Sequence, residues 1–117
     1  MKILGLHVSF TGHAHDSSAA LIDNGKIIAA VEEERFNRHK SSELFFPSNS
    51  IKYCLKKAKC DIRSIDLISV DGYTFKKLKK KIIKSIKHYF GYCPKVELTK
   101  HFLSHSFGTF LSSGYKK

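Results

Sequence analysis

Lys2 to His7 (KILGLH) is a short apolar run of the kind that makes a buried strand. A polar stretch with glycine and histidines follows, Val8 to Ser17, and then the apolar run AALID. Asn24-Gly25 separates that run from KIIAAVEEE. Two β-prone runs joined by Asn-Gly predict a hairpin, because a type I′ turn needs positive φ at both central residues. Residues 2–34 therefore predict three strands in a meander. Arg35 to Pro47 is mixed in character and reads as a loop. A helix is expected from about Ser48: Pro47-Ser48 offers stop-and-cap chemistry, and Ile51, Cys54, Leu55 and Ala58 recur at helical spacing. Ile65 to Val70 predicts another buried strand, ended by Asp71-Gly72. Phe75 to Phe90 places Phe75, Leu78, Ile82, Ile86 and Tyr89 on one helical face, with seven lysines over the remaining surface. Lys95 to Thr99 predicts a short strand, and His101 to Leu111 a last helix.

A hairpin followed by alternating helices and strands argues for an α/β layered domain spanning residues 1–117. Its helices are few for a sheet that needs cover on both faces. The last one runs into SSGYKK where such a domain ordinarily continues. The expectation is a fragment of a larger unit.

Composition narrows the class. With 42% hydrophobic and 26% charged residues among 117, the chain has the make-up of a compact domain rather than a disordered one. No apolar run approaches the ~18 residues of a membrane span, and no signal-peptide core opens the chain, so neither membrane nor secreted placement is expected. Lys+Arg number 21 against 10 Asp+Glu, a net charge of +11. Only Arg35, Arg38 and Arg63 are arginines, so the excess reads as a lysine-biased surface rather than a nucleic-acid reader with arginine forks. A basic module using the Lys76–Lys87 helix on nucleic acid or an anionic surface is the alternative. Three cysteines, Cys54, Cys60 and Cys93, form no C-x-x-C pair and read as reduced thiols of a cytoplasmic protein.

Three constellations can carry chemistry. Gly12-His13-Ala14-His15-Asp16-Ser17-Ser18 lies between two strands; such a loop exposes N–H groups to a phosphate or carbonyl, and its His and Asp suit proton transfer or a metal-bound water. A plain loop has the same spelling. His101 and His105, at i and i+4, stand on one face of a helix and can share a metal ion; two surface histidines look identical. Glu32-Glu33-Glu34 leads into Arg35, Arg38 and Lys40, which can hold an anion, or can be a solvated charged loop.

Taken in order, MKILGLH…HDSSAALIDNGKIIAAVEEERFNRHK, then FPSNSIKYCLKKAKCDIRSIDLISVDG, then HFLSHSFGTFLSSGY resemble three consecutive signatures of the O-carbamoyltransferase family, the last being similar to its H-H-L-A-H-A-x-x-A-F-x-x-S-G-F. The resemblance implies a partial actin-like (ASKHA, ribonuclease-H-like) α/β domain. It implies ATP and carbamoyl phosphate as co-substrates, a small-molecule hydroxyl as acceptor and a divalent metal, generally Fe²⁺. His101 and His105 match the family's metal ligands. His15 and Asp16 match its nucleotide and carbamoyl site, with the histidine a candidate for proton transfer; Ser17, Arg38 and Lys40 become phosphate-binding candidates. Phe102 departs from the family's second histidine, and Ser104 and Ser106 from its alanines. Such enzymes run several hundred residues, so this chain alone is expected to be inactive, its remainder supplied downstream or as a separate chain.

Overall fold

A computed structural model describes residues 1–10, 16–40, 46–71, 77–100, 106 and 112–114. Five strands among them make one sheet: β1 (Lys2–His7), β2 (Ser18–Asp23), β3 (Lys26–Glu32), β4 (Leu67–Asp71) and β5 (Lys95–Thr99), in the order β3-β2-β1-β4-β5. The first three form the expected antiparallel meander, while β4 and β5 add in parallel to the other side of β1. Asn24 (φ 47°) and Gly25 (φ 79°) supply the two positive φ values that the β2–β3 turn demands.

Among the described residues three α-helices and a 3-10 turn (Ile62–Ser64) connect the strands: α1 (Glu34–Asn37), a single turn running into the segment expected to be loop; α2 (Ser48–Lys57); and α3 (Leu78–Phe90). α2 ends through Lys59 in the left-handed region, which lets the Cys60 N–H reach the Leu55 carbonyl at 3.1 Å. α3 ends at Gly91, where φ of 72° is free of the Cβ penalty.

One face of the sheet carries the core. Alternation brings Leu4, Leu6, Ala19, Leu21, Ile68, Val70 and Val96 to it, all buried. α2 lays Ile51, Cys54 and Leu55 over β2 and β3, and α3 lays Leu78, Ile82 and Ile86 beside β5. Each aliphatic side chain so enclosed contributes about 1.5–3 kcal/mol. Tyr89 was expected in the α3 stripe. Steps of four carry the buried row 78–82–86 on to Phe90, which packs on the core, and Tyr89 lies 45% exposed on the flank. There its ring stacks on Phe46, 5.6 Å between centroids. Phe75 and the predicted helix over 101–111, Ser106 apart, lie outside the described residues.

Burial pushes the Cys54 thiol from its ordinary 9.0 up to about 11, and it also raises Cys60 and Cys93. The fold thus favours the neutral Cys54 thiol, a contribution intact below pH 9 and lost as pH rises toward 11. With a thiol-reactive dye at pH 8, Cys60 and Cys93 should label in the native state and Cys54 only on unfolding. Ile68→Ala, at a fully buried site on β4, should lower stability to urea by about 2–5 kcal/mol. Ile27→Thr, at a site 73% exposed, should change it by about 0.5 kcal/mol or less.

Candidate functional site

β1, β3, β4 and β5 all point the same way, so their C-terminal ends share one edge of the sheet. The segments after β1 (8–17), after β3 (33–47), after β4 and after β5 all depart from it. Every candidate from the sequence falls in three of these: His15, Asp16 and Ser17 after β1, Arg38 and Lys40 after β3, His101 and His105 after β5. Ligands of open α/β sheets gather beyond the carboxyl ends of strands.

The sheet face away from α2 and α3 is graded toward that edge. Following the register, an apolar row (Ile27, Ile22, Ile3, Leu67) gives way to small residues (Ala30, Ala20, Gly5, Ser69). A polar row comes last: Glu32, Ser18, His7, Asp71 and Thr99. A shallow concavity of about 850 Å³ lies over this face, lined by His7, Asp71, Thr99, Glu32 and Arg35 among others. Arg35 and Glu32 approach to 3.9 Å across exposed side chains, a pair worth about 0–1 kcal/mol.

The loop after β1 is closed at its feet. The Ser9 N–H donates to Ser17 Oγ at 3.2 Å, with both residues buried. Ser17 is therefore a closing residue of the loop as well as a candidate binder, and its hydroxyl keeps its own proton to donate. Asp16 holds a left-handed backbone, φ 66°, a conformation that aspartate tolerates better than most residues. Arg38 is likewise left-handed (φ 60°) and caps α1 through its N–H to the Glu34 carbonyl at 3.0 Å. The Arg38 and Lys40 side chains are exposed, and neither lines the concavity. His15, His101 and His105 lie outside the described residues. Among those described, no group of three His, Cys, Asp or Glu could hold a metal ion, and no helix is long and apolar enough to cross a membrane.

The acidic triplet holds what sequence reasoning missed. Glu33, read as part of a solvated run, is 2% exposed. Its Oε1 accepts from the N–H and side-chain amide of Asn49 (3.2 and 2.8 Å), its Oε2 from the N–H and hydroxyl of Ser50 (2.8 and 2.7 Å). Those N–H groups are the second and third of α2. Pro47, at the N-cap, makes no side-chain bond, and Ser48 already belongs to the helix, so the cap is supplied from the end of β3 instead. The Glu33 N–H in turn donates to the Ser17 carbonyl at 2.8 Å. One residue ties together the loop after β1, the end of β3 and the start of α2. The absence of a side-chain cap at Pro47 was the available hint.

His7 and Asp71, each the last residue of an apolar strand, were also passed over. His7 Nδ1 stands 3.2 Å from Asp71 Oδ2. A titratable residue ending a buried run was their signal in the sequence.

Comparison with known proteins gives concordant results. The family described as Carbamoyltransferase N-terminus matches residues 2–111. Nodulation protein NolNO of Sinorhizobium fredii is 49% identical over 55 residues, 47% of this chain and 8% of that protein. Protein sll1178 of Synechocystis is 44% identical over 66 residues, 56% of this chain and 10% of that protein. The chain thus spans a tenth or less of the length of these two relatives. Among solved structures, YeaZ from Pseudomonas aeruginosa superposes with a TM-score of 0.61 at 14% identity, over 97% of this chain and 49% of that one. The shared architecture is the α/β, actin-like one.

Glu33→Ala should lower stability to urea by about 2–4 kcal/mol, since it strands the buried donors of Ser50 and Asn49. Glu33→Gln, which keeps one acceptor oxygen, should lose roughly half as much.

Proposed function

As this chain belongs to the carbamoyltransferase N-terminal family, matched over residues 2–111, we propose that it forms the nucleotide- and carbamoyl-handling edge of an ATP-dependent O-carbamoyltransferase. In the proposed reaction water hydrolyses carbamoyl phosphate to carbamate and phosphate, and a carbamate oxygen then attacks the α-phosphorus of ATP, forming carbamoyl-adenylate as pyrophosphate leaves. A substrate hydroxyl then attacks the carbamoyl carbon, the new C–O bond forms and AMP leaves. The observation that carries this reading is topological: the three segments with the candidate residues depart from one edge of the sheet.

In this reading His15 takes the hydroxyl proton as the C–O bond forms, with Asp16 beside it in the sequence to orient the ring. A phosphate lies against the segment between Ser9 and Ser17, two buried residues joined by the bond from the Ser9 N–H to Ser17 Oγ. Arg38 and Lys40, both exposed on the segment after β3, supply positive charge to the same edge. His101 and His105 have the i, i+4 spacing that suits two ligands of a divalent metal, proposed as Fe²⁺. When bound, the metal would polarise a carbonyl or phosphoryl oxygen.

The remaining ligands and the acceptor pocket are assigned to further polypeptide, in the same chain or in a partner, because the whole relatives are so much longer. By itself the 117-residue chain is proposed to be inactive. The cytoplasm is the proposed compartment, supported by three cysteines that form no disulfide.

Metal analysis of the complete enzyme tests the ligand assignment. His101→Ala and His105→Ala should each reduce bound iron by about tenfold or more, since losing even an outer-shell partner of a ligand costs that much affinity. An unchanged metal content in both variants would remove these histidines from the site.

A further inference from the structure

The polar row of the open face contains a pair that the proposed reaction does not use. His7 ends β1 and Asp71 ends β4, and the parallel register sets them directly opposite each other. Nδ1 and Oδ2 are 3.2 Å apart, with the side chains 28% and 21% exposed. An ionised carboxylate can only accept, so it fixes the ring proton on Nδ1 and leaves the lone pair on Nε2. Partial burial holds the ring in that orientation while keeping it open to the concavity it lines.

The surroundings leave room for a ligand. Gly5, Ala20 and Ser69 form the next row and project little above the sheet. The Thr99 hydroxyl is engaged by the Val70 carbonyl at 3.2 Å, so His7 offers the row's one aromatic nitrogen acceptor. Glu32 and Arg35 are the other charged groups lining the concavity, besides Asp71. Arg35 provides a cation for a phosphoryl end, and His7 Nε2 an acceptor for an N–H end.

The geometry points to His7, held by Asp71, as a positioning residue that accepts a hydrogen bond from the amide of a carbamoyl-bearing phosphoryl ligand seated on the sheet face. The identity of this ligand rests on the carbamoyltransferase reading; the fixed tautomer rests on the pair alone.

The test is long-range ¹H–¹⁵N spectroscopy of the full chain, with phosphonoacetamide, a stable amide-bearing analogue of carbamoyl phosphate, as the probe. Neutral His7 should be the Nδ1–H tautomer, and Asp71→Asn should shift it toward Nε2–H. The probe should move the Nε2 resonance. Asp71→Asn and His7→Ala should weaken the probe about tenfold, the size of one lost hydrogen bond, and His7→Gln, which keeps an acceptor, should restore part of the loss. A wild-type His7 in the Nε2–H form overturns the proposal, and needs no variant to fold. So does a probe that shifts other resonances but leaves His7 unmoved, in which case the carbamoyltransferase reading stands. If His7 has the expected tautomer and the probe shifts nothing, the carbamoyl ligand falls, and the positioning role falls with it.

Discussion

The edge of the sheet that carries every candidate residue depends on one buried carboxylate. α2 begins at a proline and has no cap of its own, so its first turn would present bare N–H groups to the interior. Glu33 answers them from another element, with four accepted hydrogen bonds. A buried carboxylate is tolerable only when its oxygens are satisfied, and here a helix N-terminus supplies both the donors and the favourable dipole. The backbone of the same residue holds the Ser17 carbonyl. Ser17, at the end of the segment after β1, is therefore tied through Glu33 to the start of α2, although the two are about thirty residues apart in sequence.

The two faces of the sheet do different work for a physical reason. The helix-covered face is uniformly aliphatic, as a packed core requires. The opposite face passes from isoleucine through alanine and glycine to a row of Glu32, Ser18, His7, Asp71 and Thr99. The gradient sets the polar row, rather than the isoleucines, beside the edge from which the connecting segments depart. YeaZ, which shares the architecture, is twice as long as the part that superposes.

Strands and helices were legible where a period was long enough to be unambiguous. The meander, the start of α2, β5 and the body of α3 follow from alternation, the Asn-Gly turn and the lysine-flanked stripe. Tyr89 was misplaced because a helix drifts across a stripe read in steps of three and four, and Phe90 fits the buried edge better. Glu33 was illegible for a different reason. A run of three glutamates looks solvated until tertiary structure brings a helix N-terminus to the middle one, and nothing local says so. The candidate site was readable as a set of segments through resemblance, but the pairing of His7 with Asp71 needed the parallel register of β1 and β4.

The position of β1 has a consequence for how the chain is made. It lies at the centre of the sheet, yet it is made before the other four described strands. Its meander partners follow within about thirty residues, but β4 arrives only at Leu67. Until then the three-stranded meander carries a nascent edge on β1, with unpaired backbone groups and a buried-type sequence. The local hairpins close quickly, and the long parallel pairing waits for about thirty-five residues of further synthesis. During that interval the future centre of the protein is its most adhesive surface, and its safety rests on the pace of translation and on whatever shields the emerging chain.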